Sequence, residues 1–471
     1  MISVLSIRLK RVILVFSLIA ACVLVLIGIG TVEISSSYYN KEMISSGIQS
    51  LTDKFDFSYL QPGNNGSYNL WNMKSSTLEQ TGFIIEPNNV QFKFTNPLGK
   101  KGTPQEIQEQ NDKRYAQVFD KQITEPKDFD IESIRPPADP KKYKLANATI
   151  IALVRNNEAS SIGKTIRRFE KKFNDKFHYP YTFLNDEPFT DAFKSRIAKY
   201  TDAPMEFVTV GPEFWKKPSF IDETRQKVEM DKLQAQNIAY ATMESYHNMC
   251  RFYSGMFYNL PELQKYKYYW RIEPNVNFYT DIKYDVFKYL QGTGKKYGFT
   301  INLYDIHETV VSLWPETLRF LNLGNNYKYV NKNGAFQWLL EPHQNPKKNS
   351  DTGGYSTCHF WSNFEIADMD FYRSEAYNEW FKHLDRSGGF YYERWGDAPV
   401  HSLGLSLFAD KKDIHWFRDI GYFHDPYFNC PKSENTKLCS AGRFSRWDHL
   451  NDQNCMSSWI DYSIDDLDKI Y

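Results

Sequence analysis

Between residues 148 and 416 the chain alternates short, β-favouring apolar runs with helix-periodic stretches, and that order permits few architectures. Residues 148–154 read Ala-Thr-Ile-Ile-Ala-Leu-Val, a buried-strand run closed by Arg155, Asn156 and Asn157. Ile162, Ile166, Phe169 and Phe173 follow at spacings of three or four, the mark of a helix with one apolar face. Further strands are predicted at 181–184, 207–210, 268–273, 298–303 and near Ile414, and helices at 230–257, 315–321 and 375–384. The expected fold is α/β, with a mixed, largely parallel central sheet.

The run Tyr268-Tyr269-Trp270-Arg271-Ile272 ends at Glu273-Pro274. Proline restricts the residue before it to extended or turn conformations, so the aromatic strand stops at a carboxylate. Ligands of open α/β sheets bind at strand ends, which makes Glu273 a candidate site residue. A surface glutamate before a turn is the plainer alternative.

The amino terminus carries its own signal. Residues 12–32 form an apolar run of about 20 residues, enough at ~1.5 Å per residue to cross a bilayer core of ~30 Å. Arg8, Lys10 and Arg11 precede it and nothing acidic appears until Glu33. The positive-inside rule then gives a cytoplasmic tail at 1–11, a signal-anchor at 12–32 and a translocated remainder. A cleaved signal peptide, with its shorter apolar core, is the competing reading. Residues 33–142 are polar and rich in Pro and Gly, as in Arg135-Pro136-Pro137-Ala138-Asp139-Pro140, and are expected as a stem. The Phe83-Ile84-Ile85 and 115–119 segments could pack on the main domain, taken as 143–471.

Lys and Arg total 57, as do Asp and Glu, so net charge offers no argument for a nucleic-acid partner. The aromatic content of 16% suits sugar or base stacking and a dense core equally. Beyond Cys22, Cys250, Cys358, Cys430, Cys439 and Cys455 allow at most two intramolecular disulfides and leave one thiol. Cys430, Cys439 and Cys455 lie close enough in sequence to staple the carboxyl-terminal end. Asn65 and Asn147 stand in N-glycosylation sequons.

An enzyme handling a sugar nucleotide neutralises a diphosphate, commonly with a divalent cation on an Asp-x-Asp motif. That pattern occurs at Asp128/Asp130, Asp368/Asp370 and Asp466/Asp468, too often to discriminate; Asp368 and Asp370 are assigned to structure, and Glu273 is better placed.

Longer motifs carry a resemblance. They are Phe183-Leu184-Asn185-Asp186-Glu187-Pro188-Phe189-Thr190, Tyr246-His247-Asn248-Met249-Cys250-Arg251-Phe252 with Ser254-Gly255, and Tyr269-Trp270-Arg271-Ile272-Glu273-Pro274. His359-Phe360-Trp361-Ser362-Asn363-Phe364-Glu365-Ile366-Ala367-Asp368 and Gly396-Asp397-Ala398-Pro399-Val400-His401-Ser402 complete the set. In this order, over about 149–431, the chain resembles the fungal Golgi α-1,2-mannosyltransferases, glycosyltransferase family 15. Thr280 stands where many members have a Cys, which leaves Cys250 without an obvious partner, and a polar insertion occupies about 346–355.

The resemblance implies a GT-A type fold, single-pass type II Golgi membrane topology with a lumenal catalytic domain, and Mn²⁺-dependent transfer of mannose from GDP-mannose with retention. The acceptor would be a mannosylated glycoprotein bearing O-linked or N-linked glycans. Glu273 and His424 match the metal and diphosphate site, and Glu365 the carboxylate near the anomeric carbon. Tyr246 and Asp397 match polar positions lining the sugars. Arg155 and Arg251 are plausible partners of the donor nucleotide, with ordinary ion pairs as the alternative. Mannosylphosphate transfer, and a non-catalytic mannan-binding protein on the same fold, are the other functions considered.

Overall fold

The computed structural model describes residues 84–85, 90–91, 104–123, 125–340, 351–434, 436 and 438–464. The expected tail at 1–11, the anchor at 12–32, Asn65 and the Asp466/Asp468 motif lie outside these residues. Among the described residues no helix is long and apolar enough to cross a membrane.

Strands β1 (Ile84–Ile85) and β2 (Val90–Gln91) form a small antiparallel pair. The central sheet has seven strands: β3 (Ala148–Leu153), β4 (Tyr181–Asn185), β5 (Met205–Thr209), β6 (Tyr268–Arg271), β8 (Tyr297–Phe299), β11 (Glu365–Asp368) and β12 (Ile414–Trp416). They lie in the order β12-β8-β11-β6-β3-β4-β5. β11 alone runs against its neighbours; every other pairing is parallel. The mixed, largely parallel sheet is therefore as expected. The register sets Glu365, first residue of β11, opposite Arg271, last residue of β6. The reversed strand thus delivers an acid to the edge where the parallel strands end.

Two layers bury the sheet. Helix α2 (Ala159–Lys172) turns Ile162, Ile166 and Phe169 fully inward, and the Phe169 ring meets Trp270 of β6 edge-on at 4.7 Å. Helices α3 (Glu244–Gly255), α4 (Glu375–Ser387) and α5 (Asp397–Phe408) pack together around buried aromatic rings. Close approach is built into that packing. A Cβ at Gly255 would lie 2.2 Å from the Phe381 ring.

The single helix expected over 230–257 is two, Glu223–Ala235 and α3. Between them Asn237 and Tyr240 adopt φ of 59° and 61°, the left-handed region through which a right-handed helix cannot continue. The strand expected over 298–303 is also divided. β8 stays in the main sheet, whereas β9 (Asn302–Tyr304) pairs with β10 (Cys358–Phe360). The carbonyls of Thr300 and Ile301 between them are satisfied elsewhere, by the Trp416 indole N–H and the Trp361 backbone N–H.

Helix α1 (Pro104–Asp120) lies within the segment expected as stem, yet Tyr115, Val118 and Phe119 are buried in the main core. Arg418 donates to the carbonyls of Val118 and Lys121, and Arg114 pairs with Asp461 at 3.2 Å. Ile131 and Ile134 join the same core. The boundary expected at 143 is consequently not a break in packing.

The disulfides are Cys358–Cys455 and Cys430–Cys439, with Cys250 buried and free. Cys455 thus ties β10 to the start of α6 (Met456–Ser463) rather than joining the 430–439 pair. Thr280 uses its hydroxyl to accept from Gly421 N at 2.8 Å.

Candidate active site

β6 ends in a buried cation. Arg271 and Glu273, two residues apart in extended chain, face the same side, and Arg271 Nη2 donates to Glu273 Oε1 at 2.5 Å. Nη1 donates to Asp397 Oδ2 at 2.5 Å, and the guanidinium lies 3.6 Å from the centre of the Tyr253 ring on α3. Asp397 opens α5 and also accepts from Ser362 Oγ at 2.7 Å. Glu365 Oε1 stands 4.0 Å from Arg271 Nη1. One guanidinium therefore holds three carboxylates together at the sheet edge.

Glu365 is fully buried. Its Oε2 accepts from the Tyr297 hydroxyl at 3.2 Å and lies 3.0 Å from His401 Nδ1, while Oε1 has no hydrogen-bond partner.

Glu273 and His424 occupy the outer rim, their side chains 26% and 30% exposed against none for Glu365. Their meeting follows from topology. β7 (Asn277–Phe278), just beyond Glu273, pairs with β13 (Tyr422–His424), which in turn pairs with β14 (Tyr427–Asn429). His424 Nε2 comes 3.6 Å from Glu273 Oε2, and the Trp361 ring packs edge-on against the imidazole at 4.9 Å. Nδ1 lies 3.1 Å from the Asp425 carbonyl, so it carries the hydrogen and leaves Nε2 to the Glu273 side.

Burial pushes the Glu273 carboxyl up, but Arg271 and His424 outweigh it and hold the group down at about 2. Burial lowers the His424 imidazole, yet the Glu273 carboxylate raises it overall. A carboxylate and an imidazole nitrogen at this spacing, both partly open, fit a divalent cation whose other positions are filled by non-protein oxygens. Among the described residues no group of three or more His, Cys, Asp or Glu could hold a metal.

Beside this edge lies a cleft of about 200 Å³ lined by Leu153, Arg155, Asp186, Trp215, Met243 and Tyr246, among others. It sits at the ends of β3 and β4, against the start of α3. Arg155 is exposed there, with one contact of Nη2 to Ser245 Oγ at 3.1 Å. Tyr246 is half-buried, stacked on Tyr240 at 4.6 Å, and accepts from Arg394 Nη1 at 3.2 Å. Arg251 stands apart from the donor role expected for it. Its Nε and Nη2 form a fork on Asp385 of α4, at 2.7 and 2.9 Å, so it pins α3 to α4.

Residues 105–464 match the family described as glycolipid 2-alpha-mannosyltransferase. The chain belongs to that family. A probable mannosyltransferase of Saccharomyces cerevisiae, KTR4, is 49% identical over 386 residues, covering 80% of this chain and 82% of its own. The O-glycoside alpha-1,2-mannosyltransferase omh1 of Schizosaccharomyces pombe is 42% identical over 67% of this chain and 78% of its own. Among solved structures, the S. cerevisiae mannosyltransferase Ktr4p in complex with GDP superimposes with a TM-score of 0.75 at 48% identity, over 80% of this chain and 97% of that one. Core-mannan synthase A of Aspergillus fumigatus, in an Mn/GDP form, gives 0.71 at 44% identity, over 74% and 93%. As a member of the glycolipid 2-alpha-mannosyltransferase family the chain is an α-1,2-mannosyltransferase by class.

Within this mannosyltransferase the structure brings Glu273, His424, Glu365 and Asp397 to one edge, with Tyr246 and Arg155 along the neighbouring cleft. Sequence reasoning missed Arg271, His401, Tyr253 and Arg394. For Arg271 a signal existed, a charged residue inside an aromatic strand two places before the candidate acid. His401 stands within the quoted 396–402 motif without having been singled out, whereas Tyr253 and Arg394 come from a helix and a loop and had no signal. The two Asp-x-Asp patterns among the described residues make structural contacts: Lys267 bridges Asp368 and Asp370 at 3.0 and 2.6 Å, and Asp128 accepts from the Tyr289 hydroxyl at 2.7 Å.

Proposed function

We propose that the chain is a retaining α-1,2-mannosyltransferase that takes mannose from GDP-mannose, with Mn²⁺ as its cation, and adds it to mannose residues of O-linked or N-linked glycans on glycoproteins. The observation that carries this reading is the juxtaposition of the Glu273–His424 pair with a buried Glu365 whose Oε1 is bare. The GDP complex and the Mn/GDP form of the two relatives support the choice of nucleotide and metal.

Glu273 Oε2 and His424 Nε2 would hold the cation, which supplies Lewis-acid neutralisation of the diphosphate when bound. Arg155, exposed at the mouth of the cleft with Nη2 on Ser245 Oγ, is a guanidinium suited to phosphate oxygens. Retention proceeds either by double displacement or by departure and attack on one face of an oxocarbenium-like sugar, and Glu365 supplies the negative charge that both require. Asp397, engaged by Arg271 and Ser362, holds the guanidinium in place and thereby orients Glu273. Tyr246, fixed by Arg394, presents a phenol to the sugar hydroxyls.

The proposal includes a Golgi-lumenal home with residues 12–32 as anchor and a GT-A type fold. Two disulfides are in keeping with an oxidising compartment, and the basic residues before the apolar run with that orientation. The test is to incubate the full chain with GDP-mannose, Mn²⁺ and a panel of mannosides, then determine linkage and nucleotide by NMR. An α-1,2 product with GDP is expected. Release of GMP would instead identify mannosylphosphate transfer, and absence of any product would leave a mannan-binding protein.

A further inference from the structure

Behind Glu365, His401 of α5 joins the acid to the helix layer. Its Nε2 lies 2.9 Å from the Tyr253 carbonyl oxygen and its Nδ1 3.0 Å from Glu365 Oε2. A carbonyl only accepts, so Nε2 carries a hydrogen. Glu365 Oε2 already accepts from the Tyr297 hydroxyl, so the second contact also needs a proton, either on Nδ1 or on the carboxyl.

The surrounding groups decide where it sits. On the carboxyl side, Arg271 Nη1 is 4.0 Å from Glu365 Oε1. On the imidazole side, Asp397 begins the same helix and adds to the pull of Glu365. The remaining neighbours are phenols: Tyr372 with its ring 4.7 Å away, Tyr377 at 6.4 Å, and Tyr269, which faces Glu365. None of these brings a competing positive charge to His401. Burial alone lowers the imidazole, but Glu365 reverses that and raises it. Both side chains are wholly buried, so water does not exchange for either partner.

We propose that His401 is a positioning residue for the transfer reaction: as an imidazolium clamped between the Tyr253 carbonyl and Glu365, it fixes Oε2 and so sets the orientation of the Glu365 carboxylate, with Oε1 turned toward Arg271. This rests on the functional reading above. A carboxylate that stabilises an oxocarbenium-like centre must be ionised and held in one orientation, and misplacement by about 1 Å costs about 10²-fold. Tyr297 fixes the same oxygen from β8, so the bare oxygen is defined from two elements.

Two measurements test it. In the full chain carrying ¹⁵N-labelled histidine, both ring nitrogens of His401, assigned by their loss in His401→Asn, are expected in the imidazolium range at pH 7, and Glu365→Gln should return the ring to a neutral form. A single unprotonated nitrogen in the wild type at pH 7 overturns the proposal. For turnover, His401→Asn keeps an amide donor near Nδ1 without the charge. Its kcat is expected to fall about 10²-fold with KM for GDP-mannose within about threefold, and the acid limb of kcat to move toward neutral pH. Unchanged kcat, or an unmoved acid limb, overturns it. Should the variant not fold, the first measurement decides in the wild type, with the signal assigned from Glu365→Gln. Should the wild type fail to turn over GDP-mannose, the functional reading fails while the charge state of His401 is still determined.

Discussion

Replacing Arg271 by Met would remove the cation that three carboxylates share. Asp397 is 5% exposed and would keep only Ser362, Glu273 would lose its 2.5 Å partner, and Glu365 would lose the nearby guanidinium. Breaking a buried pair by removing one partner costs ~3–5 kcal/mol, and losing the contact with the Tyr253 ring adds to that. The expected loss by denaturant unfolding at pH 7 is therefore about 4 kcal/mol, with Arg271→Lys intermediate, because a single ammonium cannot reach Asp397 and Glu273 as a fork does. The deficit has a pH signature. Against burial, Arg271 together with His424 holds Glu273 at about 2, below its ordinary 4.5, so the stability Arg271 contributes through this carboxylate is present above pH 4.5 and is lost as pH falls toward 2. The gap between wild type and variant should narrow over that range. A loss under ~1 kcal/mol at pH 7, or a gap that does not narrow in acid, would refute the shared-cation reading.

Asp385→Ala strands the buried Arg251 guanidinium and should cost ~3–5 kcal/mol, while KM for GDP-mannose stays within about twofold; a selective rise in KM would return Arg251 to the nucleotide site. Burial raises the Glu393 carboxyl to about 7, despite hydrogen bonds from Ser312 and Trp395. The folded state therefore holds its proton more tightly than the unfolded chain does. The stability this contributes is complete below pH 4.5 and is lost as pH rises to about 7. Glu393→Gln should flatten that decline by ~1–3 kcal/mol in unfolding free energy, and a parallel pH profile for the two proteins would contradict it.

Much of this was legible in the sequence because the signals were local. The strands at 148–154 and 181–184 were largely apolar runs, that at 268–273 an aromatic one, and proline marked the end to within two residues of Arg271, where β6 stops. What was illegible depended on long-range partners. Asn237 is of a residue type that tolerates the left-handed region, but nothing at Tyr240 announces one, and nothing near Thr300 says that the strand leaves the sheet. Helix α1 falls in the segment read as stem, and Tyr115, Val118 and Phe119 anchor it to the main domain, as the expectation for 115–119 allowed. In the site, the motifs identified the acids but not the cation that organises them. Arg251, within a quoted motif, went to a helix–helix pair, because a motif records which residues recur together and not which way each side chain turns.

In the proposed function Glu273, two residues beyond β6, and His424, the last residue of β13, together hold a divalent cation at the diphosphate. Titration of Mn²⁺ into the full chain with GDP, followed by electron paramagnetic resonance, tests it directly in the wild type, Glu273→Ala and His424→Ala. Each substitution is expected to weaken Mn²⁺ binding by at least about tenfold while the protein still unfolds cooperatively. Equal Mn²⁺ affinity in all three folded proteins would contradict the account.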